Sequence, residues 1–177
     1  MPKLVLPSVK YKNSFIKDFL PGLGKSVMEY DSWGKYLNKN LLKKDFAGYV
    51  KFIKQQSKGR NLPNGYIPQS IFWLVDENKL LGILSLRHRL TTHLKKIGGH
   101  IGYEITPKYR GRGYGNLILK LALKKAKAMG IKKALLTCNA TNIRSKKVII
   151  KNGGKYEGKA KQPNGLPYKL RFWIKIK

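Results

Sequence analysis

The segment Arg110-Gly111-Arg112-Gly113-Tyr114-Gly115 sets glycine on alternate positions beside two arginines. Glycine permits positive φ and lets a backbone approach a ligand closely. A helical pattern begins at once after this turn, so successive N–H groups at the helix start point outward as unpaired donors with the helix dipole behind them. Such an arrangement binds phosphate or pyrophosphate, and Arg110 and Arg112 add charge for the same ligand. A plain glycine-rich turn is the other reading of these residues. The strand that ends at Pro107 and the helix that follows Gly113 favour the phosphate cradle.

Two other phosphate motifs fail. A dinucleotide fingerprint needs glycine at 116, where Asn116 stands, and no long βαβ unit precedes it. Gly24-Lys25-Ser26 imitates the tail of a P-loop, but Phe19 occupies the place of its first glycine and no strand leads in.

The elements around the turn follow from periodicity. Tyr11 to Leu20 reads as a first helix, stopped by Pro21-Gly22. Asp45 opens a second, whose apolar face is Phe46, Tyr49, Val50 and Ile53. Ile71 to Val75 and Leu80 to Arg87 form a hairpin about Asp76-Glu77-Asn78-Lys79, and Thr91 to Lys96 leads to a third strand over Gly99 to Thr106. From Gly113 to Met129 the period turns helical, with Leu117, Ile118, Leu121 and Ala122 on one side and Lys120, Lys124 and Lys127 on the other. A strand at Ala134 to Cys138, a helix at Asn142 to Lys151 and a hairpin of Lys155 to Ala160 with Tyr168 to Ile176 complete the chain.

The bulk numbers suit one domain. The chain has 177 residues, 42% hydrophobic, which is enough apolar material for a packed core. Its formal net charge of +30 draws in polyanions, so non-specific nucleic-acid binding is expected. A lysine-rich surface without a function is the competing reading, since the lysines are spread along the whole chain. The single cysteine, Cys138, excludes an internal disulfide and reads as a buried strand thiol. No stretch approaches the roughly 20 apolar residues of a membrane span, and the N-terminus lacks a signal-peptide pattern. A cytoplasmic, soluble protein is the expectation, with no membrane partner and no metal site. The oligomeric state, a homodimer included, stays open.

The turn resembles the Arg/Gln-x-x-Gly-x-Gly/Ala motif of the GNAT (Gcn5-related N-acetyltransferase) superfamily. Gly102-Tyr103-Glu104-Ile105 before it, and Asn142, Ser145 and Lys151-Asn152-Gly153-Gly154 after it, fit the same family. The resemblance is specific from about Ile71 to Glu157 and strongest toward a branch of bacterial-type predicted acetyltransferases, on Phe72-Trp73-Leu74-Val75-Asp76, Arg87-His88 and Gly98-Gly99-His100-Ile101-Gly102-Tyr103. It implies an α/β GNAT fold with a mixed, mostly antiparallel twisted sheet flanked by helices. Residues 69–177 would form the acetyl-CoA-binding core and residues 1–68 the acceptor side.

The implied chemistry is acetyl transfer from acetyl-CoA to an amine by direct attack in a ternary complex. The backbone N–H groups of Arg110, Gly111, Arg112, Gly113, Tyr114, Gly115 and Asn116 would hold the pyrophosphate. Tyr103, Glu104 and Ile105 would pair with the pantetheine arm, and the N–H of Ile105 would stabilise the oxyanion. Asn142 would cap the next helix and touch CoA. The family often places a tyrosine four residues before Gly153 as general acid, and here that position is Ile149. The amine must also lose a proton. Glu104 is the carboxylate of the thioester strand, and alternation puts His100 on its face, so Glu104 is the expected base with His100 as partner or substitute. A structural ion pair between Glu104 and an arginine or lysine is the alternative. His88 is a candidate acceptor-binding residue, although a lone histidine is more often structural. From another class, a basic nucleic-acid- or ribosome-binding module on a catalytically weak acyltransferase fold also fits the charge.

Overall fold

The computed structural model describes residues 1–22 and 38–177; Gly24-Lys25-Ser26 lies outside them. Strand β1 is Lys3–Val5. A 3-10 turn (Val9–Tyr11), helix α1 (Lys12–Ser14), a π-helical stretch (Phe15–Phe19) and a second 3-10 turn (Leu20–Gly22) follow without a break. Helices α2 (Lys39–Lys44) and α3 (Phe46–Gln55) come next, the latter capped where Gly48 N–H donates to Asp45 Oδ1 at 2.9 Å. Its buried residues are Phe46, Tyr49, Val50 and Ile53, the face expected from their spacing.

Strands β2 (Gln69–Asp76), β3 (Lys79–Arg87) and β4 (Ile101–Ile105) extend β1 into an antiparallel sheet of order β1-β2-β3-β4. The stretch between β3 and β4 contains a short helix, α4 (Thr92–Lys96), whose cap is Thr91 Oγ1 accepting from Leu94 N–H at 3.2 Å. Helix α5 (Tyr114–Ala128), strand β5 (Lys133–Asn139), helix α6 (Ile143–Lys151) and strands β6 (Lys155–Ala160) and β7 (Lys169–Lys175) make the second half. Its sheet, of order β5-β7-β6, is antiparallel too.

Alternation along β2 divides the interior. Leu74 packs with Leu84, Leu86, Ile118, Leu119, Leu136 and Phe172 under α5 and α6, whereas Trp73 and Val75 point to the opposite face and meet Phe15, Phe19, Phe46 and Tyr49. The N-terminal helices thus cover one face of the first sheet and α5 the other.

The two sheets meet at one backbone bridge, Gly99 to Leu136. His100 N–H donates to Leu135 O at 2.7 Å, and Leu135 N–H donates back to His100 Nδ1 at 3.0 Å. Gly99 has φ 73°, and a Cβ there would lie 2.4 Å from Leu135 O, so only glycine allows the approach. Beyond the bridge β4 and β5 separate, which leaves one edge of β4 without a partner strand among the described residues.

Candidate active site

The gap between β4 and β5 is a cleft of about 260 Å³. Gly102, Tyr103 and Glu104 form one wall, and Leu136 to Asn139 the other. Ser85, Arg87 and Gln69 line it from β3 and β2, Asn142 and Ser145 from the start of α6, and Phe19 from the end of the π-helical stretch.

The register of β4 decides which backbone groups face this cleft. Arg87 N–H donates to His100 O, and Thr106 N–H donates to Leu81 O. In an antiparallel ladder hydrogen-bonded residues alternate, so 100, 102, 104 and 106 bond to β3. Tyr103 and Ile105 therefore present their N–H and C=O groups to the open edge. Glu104 does not: its backbone belongs to the β3 ladder, which removes it from the three-residue pairing surface expected for pantetheine.

The glycine turn starts five residues after β4 ends, at Arg110. Thr106 Oγ1 donates to Leu80 O at 2.7 Å and Pro107–Tyr109 form a 3-10 turn, so the chain arrives at Arg110 from a fixed direction. Gly111 and Gly113 have φ of 80° and 82°, and a Cβ on either would meet nothing within 4 Å. Their requirement is conformational, and the space beside them is open. Arg110 N–H bonds Pro107 O and Asn116 N–H bonds Gly113 O. The groups without an acceptor among the described residues are the N–H of Gly111, Arg112, Gly113, Tyr114 and Gly115. Of the seven N–H groups expected to serve as a cradle, five have no acceptor among the described residues, and the two at the ends hold the turn's shape.

Side chains support the same geometry. Arg110 turns away from the cradle: its Nε donates to Ile105 O at 3.1 Å and its Nη2 to Glu104 Oε1 at 2.7 Å. It locks the turn to the end of β4. Arg112 lies over the Tyr109 ring, 5.9 Å from its centroid. Tyr114 meets Tyr109 edge-on at 6.4 Å. Gly115 lets α5 pass α6, because a Cβ there would stand 3.2 Å from Val148. Asn116 Oδ1 accepts from Asn152 Nδ2 at 3.4 Å, tying α5 to the end of α6. Asn142 caps α6 by accepting from Ser145 N–H at 3.0 Å, and also lines the cleft.

The acid–base candidates separate. Glu104 lines the cleft but is ion-paired with Arg110, and both are partly exposed. His100 is absent from the cleft wall. It is 8% exposed, its Nδ1 is held by Leu135, and its ring meets Trp173 edge-on. Burial, with the Arg87 charge, lowers its pKa to about 4. It is a neutral clasp between the sheets, because the strand that would alternate it toward Glu104 begins one residue later. His88 Nε2 shares a 2.9 Å hydrogen bond with Ser70 Oγ, and burial lowers its pKa. It sits behind Gln69 and Arg87, outside the wall.

Among the remaining cleft residues, Lys169 carries no sequence signal. Tyr103 OH lies 3.5 Å from Ser145 Oγ. Cys138, 4% exposed, lines the cleft with Ser145, and burial raises its pKa. Lys169 stands beside Cys138, with its pKa lowered by burial. Ile149, at the family's tyrosine position, is fully buried against Gly154. No group of His, Cys, Asp or Glu among the described residues suits a metal, and no helix among them is long and apolar enough to cross a membrane.

Residues 24–155 match the family model described as an acetyltransferase (GNAT) domain. No curated protein sequence matches the chain. Among solved structures it is similar to the microcin C7 self-immunity acetyltransferase MccE in complex with acetyl-CoA and AMP (16% identity, TM-score 0.63, covering 99% of this chain and 92% of that one). It is also similar to RimL, a ribosomal L7/L12 α-N-protein acetyltransferase in complex with CoA (16%, 0.66, 99% and 94%). A third is Mycobacterium smegmatis RimJ in complex with CoA-disulfide (14%, 0.69, 98% and 81%). At these identities the structures share the fold, while the family model spans most of the sequence. The chain belongs to the GNAT acetyltransferase family.

Proposed function

We propose that this chain transfers the acetyl group of acetyl-CoA to an amine, with the thioester held between β4 and β5. One observation carries the reading: the open edge of β4 leads, through one 3-10 turn, to five N–H groups around the start of α5 that have no acceptor among the described residues. An extended amide-bearing arm can pair with Tyr103 and Ile105, and a pyrophosphate attached to it then meets Gly111 to Gly115 and the helix dipole. MccE and RimL are described with acetyl-CoA or CoA bound, which supports the donor.

The division of labour follows from the geometry. Ile105 N–H faces the cleft and polarises the thioester carbonyl. Arg110 fixes Ile105 O and Glu104 together, so the oxyanion donor and the carboxylate hold one relative position. Glu104 is the one carboxylate among the described residues lining the cleft, and we assign it the amine's proton, taken directly or through a water. The acceptor enters past Phe19, Ile71, Ile83 and Gln69, the wall shared with the N-terminal helices.

The test is calorimetric binding of acetyl-CoA, followed by CoA release with a panel of small amines, amino sugars and peptide N-termini. Micromolar binding with release on at least one amine supports the reading; no binding of acetyl-CoA would overturn it. The charge of +30 favours a second reading, a basic nucleic-acid- or ribosome-binding module on a silent fold. That module binds acetyl-CoA without releasing CoA to any acceptor, and its affinity for RNA is unchanged by the donor.

A further inference from the structure

Lys169 opens β7, and its side chain lines the cleft beside Cys138. It is only partly exposed, and no carboxylate among the described residues pairs with it: the ion pairs are those of the N-terminus, Lys108, Arg110 and Arg171. An ammonium group drawn out of water without an anion beside it is unfavourable. The surface already carries a large excess of cations, so solubility does not explain this one. Sharing the cleft lining with it are the Cys138 thiol, the Ser145 hydroxyl, and the Tyr103 hydroxyl 3.5 Å from Ser145. Ile149, one helical turn beyond Ser145, has no proton to give.

We propose that Lys169 is the cation that receives the CoA thiolate when the thioester breaks, with the Ser145 and Tyr103 hydroxyls holding the sulfur beside it. The assignment rests on the acetyl-CoA reading above. The amine lone pair forms the C–N bond, and the carbonyl electron pair moves onto the oxygen facing Ile105 N–H. Collapse of that adduct breaks the C–S bond, and sulfur leaves with the bonding pair. Lys169 stays protonated and stabilises that thiolate as an ion pair, and the sulfur takes its proton from solvent. The proton lost by the amine to Glu104 or water passes to solvent, so charge and protons balance with no further reactant.

Other charged or titratable groups lining the cleft are Arg87 from β3, Tyr103 and Glu104 from β4 and Cys138 from β5, while Lys146 from α6 acts on the Cys138 thiol. Burial pushes Tyr103 and Cys138 up and Lys169 down. The alkaline limb of turnover therefore belongs to Lys169 and falls below the ordinary lysine range.

The experiment compares Lys169→Met and Lys169→Arg with wild type. Lys169→Met lowers kcat by about 10²-fold and leaves acetyl-CoA affinity within about twofold, while Lys169→Arg, which keeps the charge, recovers much of the loss. A second readout needs no turnover: the ultraviolet thiolate absorbance of bound CoA, taken as the difference between CoA and desulfo-CoA complexes. In wild type the bound thiol ionises at lower pH than free CoA, and in Lys169→Met it returns to or above the free value. An unchanged thiol titration in Lys169→Met, or a loss of acetyl-CoA affinity in step with kcat, would overturn the assignment. Failure of wild type to bind acetyl-CoA would instead remove the reading on which it rests, and this assignment with it.

Discussion

His100 enters the joint between the sheets with its accepting nitrogen already bonded to Leu135 N–H, and this has a consequence for stability. Its pKa falls from the ordinary 6.5 to about 4, so the unfolded chain binds the proton first as pH drops. The stabilisation is fully present above about pH 6.5 and is lost as pH falls toward 4, on the order of 3 kcal/mol across that window. His88, also lowered, adds in the same direction. Urea unfolding at pH 7 and pH 4.5 should show this loss, and His100→Asn, whose Oδ1 can accept from Leu135 without titrating, should flatten the dependence. Glu104 faces the opposite test. As the base it should lose about 10²-fold in turnover in Glu104→Gln with acetyl-CoA affinity near wild type and the acidic limb gone. If its whole role is to anchor Arg110, stability and affinity fall together and the limb stays. Strand alternation placed His100 on the face of Glu104 because a pattern reports a face and not a neighbour. Lys169 was illegible for another reason: one lysine in a lysine-rich chain has no spacing that marks it.

At the scale of elements, the glycine turn should behave as a binding surface. Gly113→Glu puts a carboxylate where five N–H groups converge, and acetyl-CoA should then no longer raise the melting temperature. Positive φ by itself strains a non-glycine residue by about 1 kcal/mol, so Gly113→Asn, which tolerates that conformation, serves as the control and should keep the shift. Helix α6 makes a different prediction. Ile149 is fully buried, and its Cγ2 would be 2.5 Å from a Cβ on Gly154, so there is no room for a phenol. Ile149→Tyr should destabilise the fold by about 1–3 kcal/mol, measured by denaturant midpoint, without raising turnover. Most elements were readable from sequence. Phe46, Tyr49, Val50 and Ile53 repeat at helical spacing and are buried together, and Asp45 caps where its type says it should. The helix α4 carries no sequence signal, since the five residues after Thr91 hold a single apolar one, Leu94, and so show no apolar period. The parting of β4 from β5 carries none either. It depends on Gly99 approaching Leu135, a tertiary contact between strands more than thirty residues apart, which no local pattern encodes.

For the whole molecule, charge is the property that the fold does not absorb. Four ion pairs are present among the described residues, and they engage three side-chain cations, Lys108, Arg110 and Arg171, of the 38 lysines and arginines in the chain. The remaining positive potential acts over the whole surface and steers anions toward it, acetyl-CoA included, within a Debye length of about 8 Å at physiological salt. Polyanion binding from such a surface is governed by counterion release, so its affinity for a single-stranded oligonucleotide should fall steeply with salt, by about 10³-fold or more between 50 and 200 mM if six to ten phosphates are contacted. The proposed acetyl-CoA cradle is a separate matter, because it consists of backbone N–H groups in a turn held by Arg110, Pro107 and Gly113. Gly113→Glu should therefore abolish acetyl-CoA binding and leave the oligonucleotide titration where it was. Fluorescence anisotropy of a labelled oligonucleotide across that salt range, run on wild type and Gly113→Glu, checks both statements. Affinity that holds constant with salt would require a shaped nucleic-acid site. A loss of oligonucleotide binding in Gly113→Glu would place the polyanion on the cradle itself.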